Sequence, residues 1–410
     1  MGKSTAKRLR HLRAVSARKL VVMSFYADPS FFVLFSVAVV GAAALGLLEK
    51  PLKWYGLVAS LFFVALLFMN DAAQFACFVL FLASSAAGCV LIMRTPKSKW
   101  SFRIALAFTL YPLVVCKVSG AFDASLLGFA GISYLTFKAT QVVIEVHDGI
   151  IERMSPSDWL CFIVFFPVFT SGPIDRSRRF VEDLHATRSR DEYAGLLARG
   201  IVLIAAGMVY KMVIAAYIFR FYDPHGWGNA GLGVELWQQV IIAYQYGLYL
   251  FFDFAGYSLM AMGASYCFGI RTPRNFRAPF LAVDIKDFWN RWHITLSFWL
   301  RDFVFMRFSR FALKHKLFKK RLRVAQCGFM VNMLLMGAWH GLSADYLLYG
   351  LFHGVLLAAT EAFQKTKFYK AHKKELWFRG VSWFVTMQAV FFGFALFSGQ
   401  ITRLACGADA

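Results

Sequence analysis

A chain of 410 residues would ordinarily make two or three soluble domains. With 59% hydrophobic residues, 17% charged and a mean hydropathy of +0.55, that class is excluded, and the chain reads as an integral membrane protein. The 45 Lys and Arg against 23 Asp and Glu leave a net charge of +22. In a soluble domain that excess would suggest nucleic acid; here it belongs to cytoplasmic loops facing anionic headgroups, so the bilayer is the expected partner and nucleic acid is not.

Residues 1–19 form a basic segment resembling the start of a leader peptide, but the apolar stretch behind it is interrupted at Ala27-Asp28-Pro29 and then runs on to about Leu48. That pattern predicts a retained first span. A membrane helix needs about 20 mostly apolar residues. The runs of sufficient apolar character lie at 30–48, 54–70, 74–93, 102–118, 122–146, 157–171, 194–222, 233–252, 253–269, 288–308, 324–340, 344–363 and 377–399. The expected fold is therefore an all-α, polytopic membrane bundle of about 11–13 membrane helices, with short or polar segments near Asp253 and His293 re-entrant or broken. No linker divides it. The organisation read is a basic cytoplasmic segment 1–19, one membrane domain 20–400 with its catalytic region at 251–354, and a short tail 401–410. The seven cysteines form no C-x-x-C pair and read as small hydrophobes, so neither a disulfide framework nor a metal site is expected.

Thirty-one of the 45 basic residues fall in five segments, 1–19, 94–103, 172–199, 307–323 and 365–379, which the positive-inside rule assigns to the cytoplasm. Stretches 223–234 and 341–346 carry none and are assigned outside. His293 and His340 then fall toward the outer half of the membrane on antiparallel neighbours.

Ionisable and polar groups inside a membrane are costly and point to function. In the segment from Asp284 to Asp302, Lys286, Asn290, His293, Ser297 and Arg301 recur at steps of three or four, which predicts one polar stripe on a single helix. A stripe of this kind equally suits a buried network that locks helix packing. A second histidine shifts the balance. Asn332 and His340 share one face near the end of an apolar span, and Gly337 and Gly341 bracket His340, which would let backbone and ligand approach the imidazole. A neutral imidazole can take a proton from an attacking hydroxyl, as acyl transfer to an alcohol requires.

With these residues in hand, FWNRWHITLSFWLRDFVFMRF at 288–308 and WHG at 339–341 resemble the membrane-bound O-acyltransferase (MBOAT) superfamily. TSGPIDRSRRF at 170–180, FFDFAGYSLMAMG at 251–263, NFRAPF at 275–280 and LLYGLFHG at 347–354 are similar to its DltB-like branch, which serves the D-alanylation of teichoic acids. The resemblance implies a multi-pass transferase of a bacterial cell membrane. Its donor would be a D-alanyl thioester on the phosphopantetheine of an acidic carrier protein, with no cofactor bound to the chain itself and no metal. Other membrane proteins of D-alanylation would be partners, and lipoteichoic acid or another envelope polymer the acceptor.

His340 matches the family's catalytic histidine and His293 its second one; the resemblance makes His340 the general base. Asn290, Ser297, Asn332, Trp339, Gly337 and Gly341 are expected along the donor channel. Carrier docking is expected at Arg301, Val304, Phe305, Phe308, Lys319, Lys320 and Arg321, where the basic run would steer an acidic partner. His353, Asp175 and Asp253 read as packing or turn residues. Two other functions remain open at this point: an O-acetyltransferase of an exported polysaccharide, similar to alginate acetylases, and a proton-coupled transporter using His293, His340 and Asp253 as a relay.

Overall fold

The computed structural model describes residues 24–122, 128–223 and 232–406, and every regular element among them is helical. The basic segment 1–19 and residues 224–231 lie outside the described residues. The first elements are α1 (Pro29–Leu47), α2 (Lys53–Phe68), α3 (Ala72–Arg94), α4 (Lys99–Phe122), α5 (Ile132–His147), α6 (Pro156–Val164) and α7 (Ser177–His185). They are followed by α8 (Arg190–Arg220), which contains a π turn at Val209–Ala215, and α9 (Leu232–Cys267). The catalytic half comprises α10 (Ile285–Trp289), α11 (Ile294–Leu300), α12 (Met306–Lys314), α13 (Arg321–His340), α14 (Ala344–Phe363), α15 (Lys367–His372), α16 (Leu376–Phe397) and α17 (Gln400–Cys406).

Local chemistry sets many of the helix starts. The Asp28 carboxylate accepts from Ser30 N at 2.9 Å with Pro29 in the first turn, Asp71 caps Gln74, and Ser189 and Glu192 form a reciprocal capping box. Among the described residues, six helices are long and apolar enough to cross a membrane: α1, α3, residues Lys99–Ser119 of α4, α8, α14 and α16. Their outward faces are apolar, with Val33, Val37 and Val40 at 65–70% exposure, as a lipid-facing surface requires.

One expectation is corrected: the runs 233–252 and 253–269 form the single helix α9, because Asp253 pairs with Lys211 of α8 and needs no break. Residues 401–406 of the short tail are helical in α17, where Thr402 bonds Asp345 and Gln400 bonds Gln239. The break expected near His293 is present within 288–308 and belongs to the site below.

Close approach of backbones builds the framework. A Cβ on Gly200 would lie 2.7 Å from Gly263 O, and one on Gly207 would lie 2.6 Å from Gly256 O. Four glycines, seven residues apart on each helix, thus seat α8 against α9 in the small-residue mode that drives helix pairing in lipid. The same device joins α13 to α14 through Gly337 and Gly350.

Candidate active site

His293 does not sit on a continuous helix. It adopts φ 45° and ψ 50°, a left-handed conformation costing a non-glycine residue of order 1–3 kcal/mol, between α10 and α11. The backbone freed by the break is satisfied sideways. Ile294 N donates to Asn275 O at 2.9 Å, Arg277 N donates to Arg291 O at 2.9 Å, and the Asn275 side chain accepts from Thr295 N and Oγ1. From the opposite side Ile174 N donates to Thr295 Oγ1 at 3.0 Å, and Arg176 reaches Phe298 O and Asp302. The NFRAPF and GPIDR stretches therefore clamp the histidine turn between them.

The single polar stripe is consequently corrected, since its members divide between two cavities. An open chamber of about 350 Å³ is lined by Lys117, Tyr134, Thr170, His293, Trp339 and His340, among others. A second cleft of about 260 Å³ is lined by Lys286, Asn290, Ser297, Arg301, Phe305 and Asn332 with neighbouring apolar side chains. Lys117 and His340 lie 18 and 19 residues beyond the basic starts of α4 and α13, roughly 27–29 Å along their axes, so the positive-inside assignment of those starts puts the histidine chamber toward the outer side. Asn332 is eight residues before His340 on α13, about 12 Å nearer the basic start of that helix.

In the chamber the Tyr134 hydroxyl and His293 Nε2 are 3.4 Å apart, and the buried His293 Nδ1 has no partner among the described residues. The His340 ring meets Phe397 edge-on at 4.9 Å and Trp339 at 4.5 Å. Lys117 Nζ donates to His340 O at 3.0 Å, which leaves two further N–H donors at the chamber. In the cleft the buried Asn332 Oδ1 has no partner among the described residues, while Lys286 is held by Glu361 and Gln364.

Other placements also differ from the sequence reading. Trp339 lines the outer chamber, away from Asn290, Ser297 and Asn332. Gly337 and Gly341 face α14, where added Cβ atoms would strike Tyr346, so they pack helices and leave the imidazole's ligand side to other groups. Of the expected docking residues, Lys319, Lys320 and Arg321 are exposed and Arg301 pairs with Asp302, whereas Val304 packs on the core, Phe305 walls the cleft and Phe308 turns toward Gly328. The outward apolar residues there are Met306, Phe311, Leu313 and Leu317. His353 is buried among Trp289, Tyr349 and Phe352, and Asp175 binds Arg179, both packing roles.

Lys117, Tyr134, Asn275 and Thr295 were not singled out from sequence. Lys117 carried a signal, as a lone lysine in the apolar run VVCKVSG; Tyr134 and Thr295 carried none.

Two histidines at one chamber, with a polar cleft nearer the basic start of α13, are an arrangement suited to acyl transfer within a multi-pass membrane protein. Residues 57–398 match the family model described as MBOAT, membrane-bound O-acyltransferase, and the chain belongs to that family. It is 38% identical over 394 residues to the teichoic acid D-alanyltransferase of Bacillus subtilis, covering 92% of this chain and 98% of that protein. The protein of the same name from Streptococcus thermophilus is 39% identical over 75% of this chain and 77% of its own. A probable alginate O-acetylase, AlgI, of Pseudomonas aeruginosa is 31% identical over 67% of this chain but only 49% of its own.

Proposed function

We propose that this protein transfers D-alanine from a thioester on the phosphopantetheine of an acidic cytoplasmic carrier to hydroxyls of teichoic acid or a related polymer outside a bacterial cell membrane. The observation that carries the reading is the placement of His340 in the histidine chamber, about two turns along α13 from the polar cleft. The carrier approaches the basic run containing Lys319, Lys320 and Arg321, and the arm enters beside Phe305. Asn332 Oδ1, buried and without a partner among the described residues, accepts from an amide N–H of the arm. His340 takes the proton of the acceptor hydroxyl as its oxygen attacks the thioester carbonyl; the C–O bond forms, the C–S bond breaks, and the thiolate leaves to be protonated. Lys117 supplies positive charge for the developing oxyanion. No cofactor of the chain itself is required.

The likeness to D-alanyltransferases over nearly their full length supports D-alanine over acetate as the acyl group. A proton relay is disfavoured because Asp253 is paired with Lys211 and does not line the histidine chamber. The test replaces His340 with alanine and measures envelope D-alanine released by mild alkali. Loss of ester at normal expression is expected; unchanged ester overturns the reading.

A further inference from the structure

A third cavity, about 940 Å³ and open to the side, runs between α8, α9 and the loop 274–281, away from the two cavities described above. Val202, Tyr210, Phe252, Met262, Phe276 and Leu281 contribute to an apolar wall, and Val202 and Leu281 are each 66% exposed. Two arginines, Arg199 and Arg274, line the same cavity and are exposed. Their neighbours Arg179, Arg188 and Arg271 are committed to Asp175 and Asp183, whereas no carboxylate pairs with Arg199 or Arg274 among the described residues.

The dimensions and the sidedness agree on an occupant. From Arg199 to Tyr210 on α8 is 11 residues, and from Tyr266 to Phe252 on α9 is 14, so the wall is roughly 16–21 Å long. One leaflet of a hydrocarbon core about 30 Å thick is half that thickness. Arg199 lies near the basic start of α8 and Arg274 follows the end of α9 that packs beside it through Gly200 and Gly263; the basic segment 172–199 assigns this end to the cytoplasmic side, where anionic lipids concentrate. We propose that this groove holds an anionic phospholipid of the inner leaflet, its phosphate between Arg199 and Arg274 and its acyl chains along α8 and α9.

The site bears on the histidine turn. Asn275 and Ser258, bonded to each other at 3.3 Å, form the back of the groove, and Asn275 also holds Ile294 and Thr295 beside His293. Phe276 meets Phe254 at 5.2 Å, and Phe254 meets the His293 ring at 4.8 Å. A lipid in the groove therefore braces the loop that fixes the turn.

Native mass spectrometry of the full-length protein, after exposure to equal amounts of phosphatidylglycerol and phosphatidylcholine with matched chains, tests the proposal. Wild type should retain phosphatidylglycerol preferentially, and the Arg199→Gln, Arg274→Gln double variant should lower that preference about tenfold while melting like wild type in lipid-free detergent. Val202→Trp, which fills the groove, should reduce retention of both lipids. Equal retention of the two lipids by wild type, an undiminished preference in the double variant, displacement by millimolar inorganic phosphate, or a lipid-free dimer would each overturn it.

Discussion

At the scale of single residues, the two histidines were legible because charge-bearing side chains inside apolar runs are rare. Their roles differ in ways that substitution separates. His340→Ala removes the proposed base and should lower turnover by about 10²–10⁴-fold, read from steady-state transfer with a loaded carrier. Asn275 touches no reacting atom. Asn275→Ala leaves Thr295 N and Oγ1 short of a buried acceptor, a loss of about 1–3 kcal/mol that should appear as lower kcat with KM for the carrier unchanged. A parallel rise in KM would place Asn275 in donor binding instead. Asp183, on the cytoplasmic elbow, is buried, which by itself would raise its carboxyl; hydrogen bonds from Arg271 and Arg188 outweigh burial and hold it below the ordinary range. Its stabilising contribution is thus present above the unfolded value of about 3.9 and is lost as pH falls through the lower folded value. Thermal unfolding of Asp183→Asn should show its deficit at pH 7 and converge on wild type in acid.

Among elements, the instructive case is the segment around His293. Steps of three and four residues predict a stripe only if the helix is continuous, and that assumption fails where lateral partners satisfy the backbone. Asn275 lies in NFRAPF and Ile174 in GPIDR, so the residues that open the helix are remote in sequence and invisible to periodicity. Asp253 misled in the opposite sense, since a carboxylate paired with Lys211 interrupts nothing. The α13 and α14 pair was legible as a glycine pattern but not in its purpose. Gly337→Val would set a side chain within 2.3 Å of Tyr346 O, and separating the helices should lower the melting temperature and displace His340. An unchanged melting temperature would mean that the two helices are not held by this contact.

For the molecule as a whole, a multi-pass membrane protein was legible in composition and an inside face was assigned from loop charge, because both are sums over many residues. The division into an outer chamber and an inner cleft was not legible, as it depends on which helices meet. It gives the charge excess a directional use: the exposed basic run after α12 lies on the inner side of the cleft. Reversing Lys319, Lys320 and Arg321 to glutamate should raise KM for the acidic carrier with kcat preserved, and the difference from wild type should shrink as salt screens the contact. The central claim is that one site joins a donor on the cytoplasmic face to an acceptor beyond the outer face. Inside-out membrane vesicles supplied externally with carrier bearing radiolabelled D-alanine test it most directly. Alkali-labile label should accumulate on polymer inside the vesicles with the wild-type protein and be absent with His340→Ala; equal label with both proteins would contradict the account.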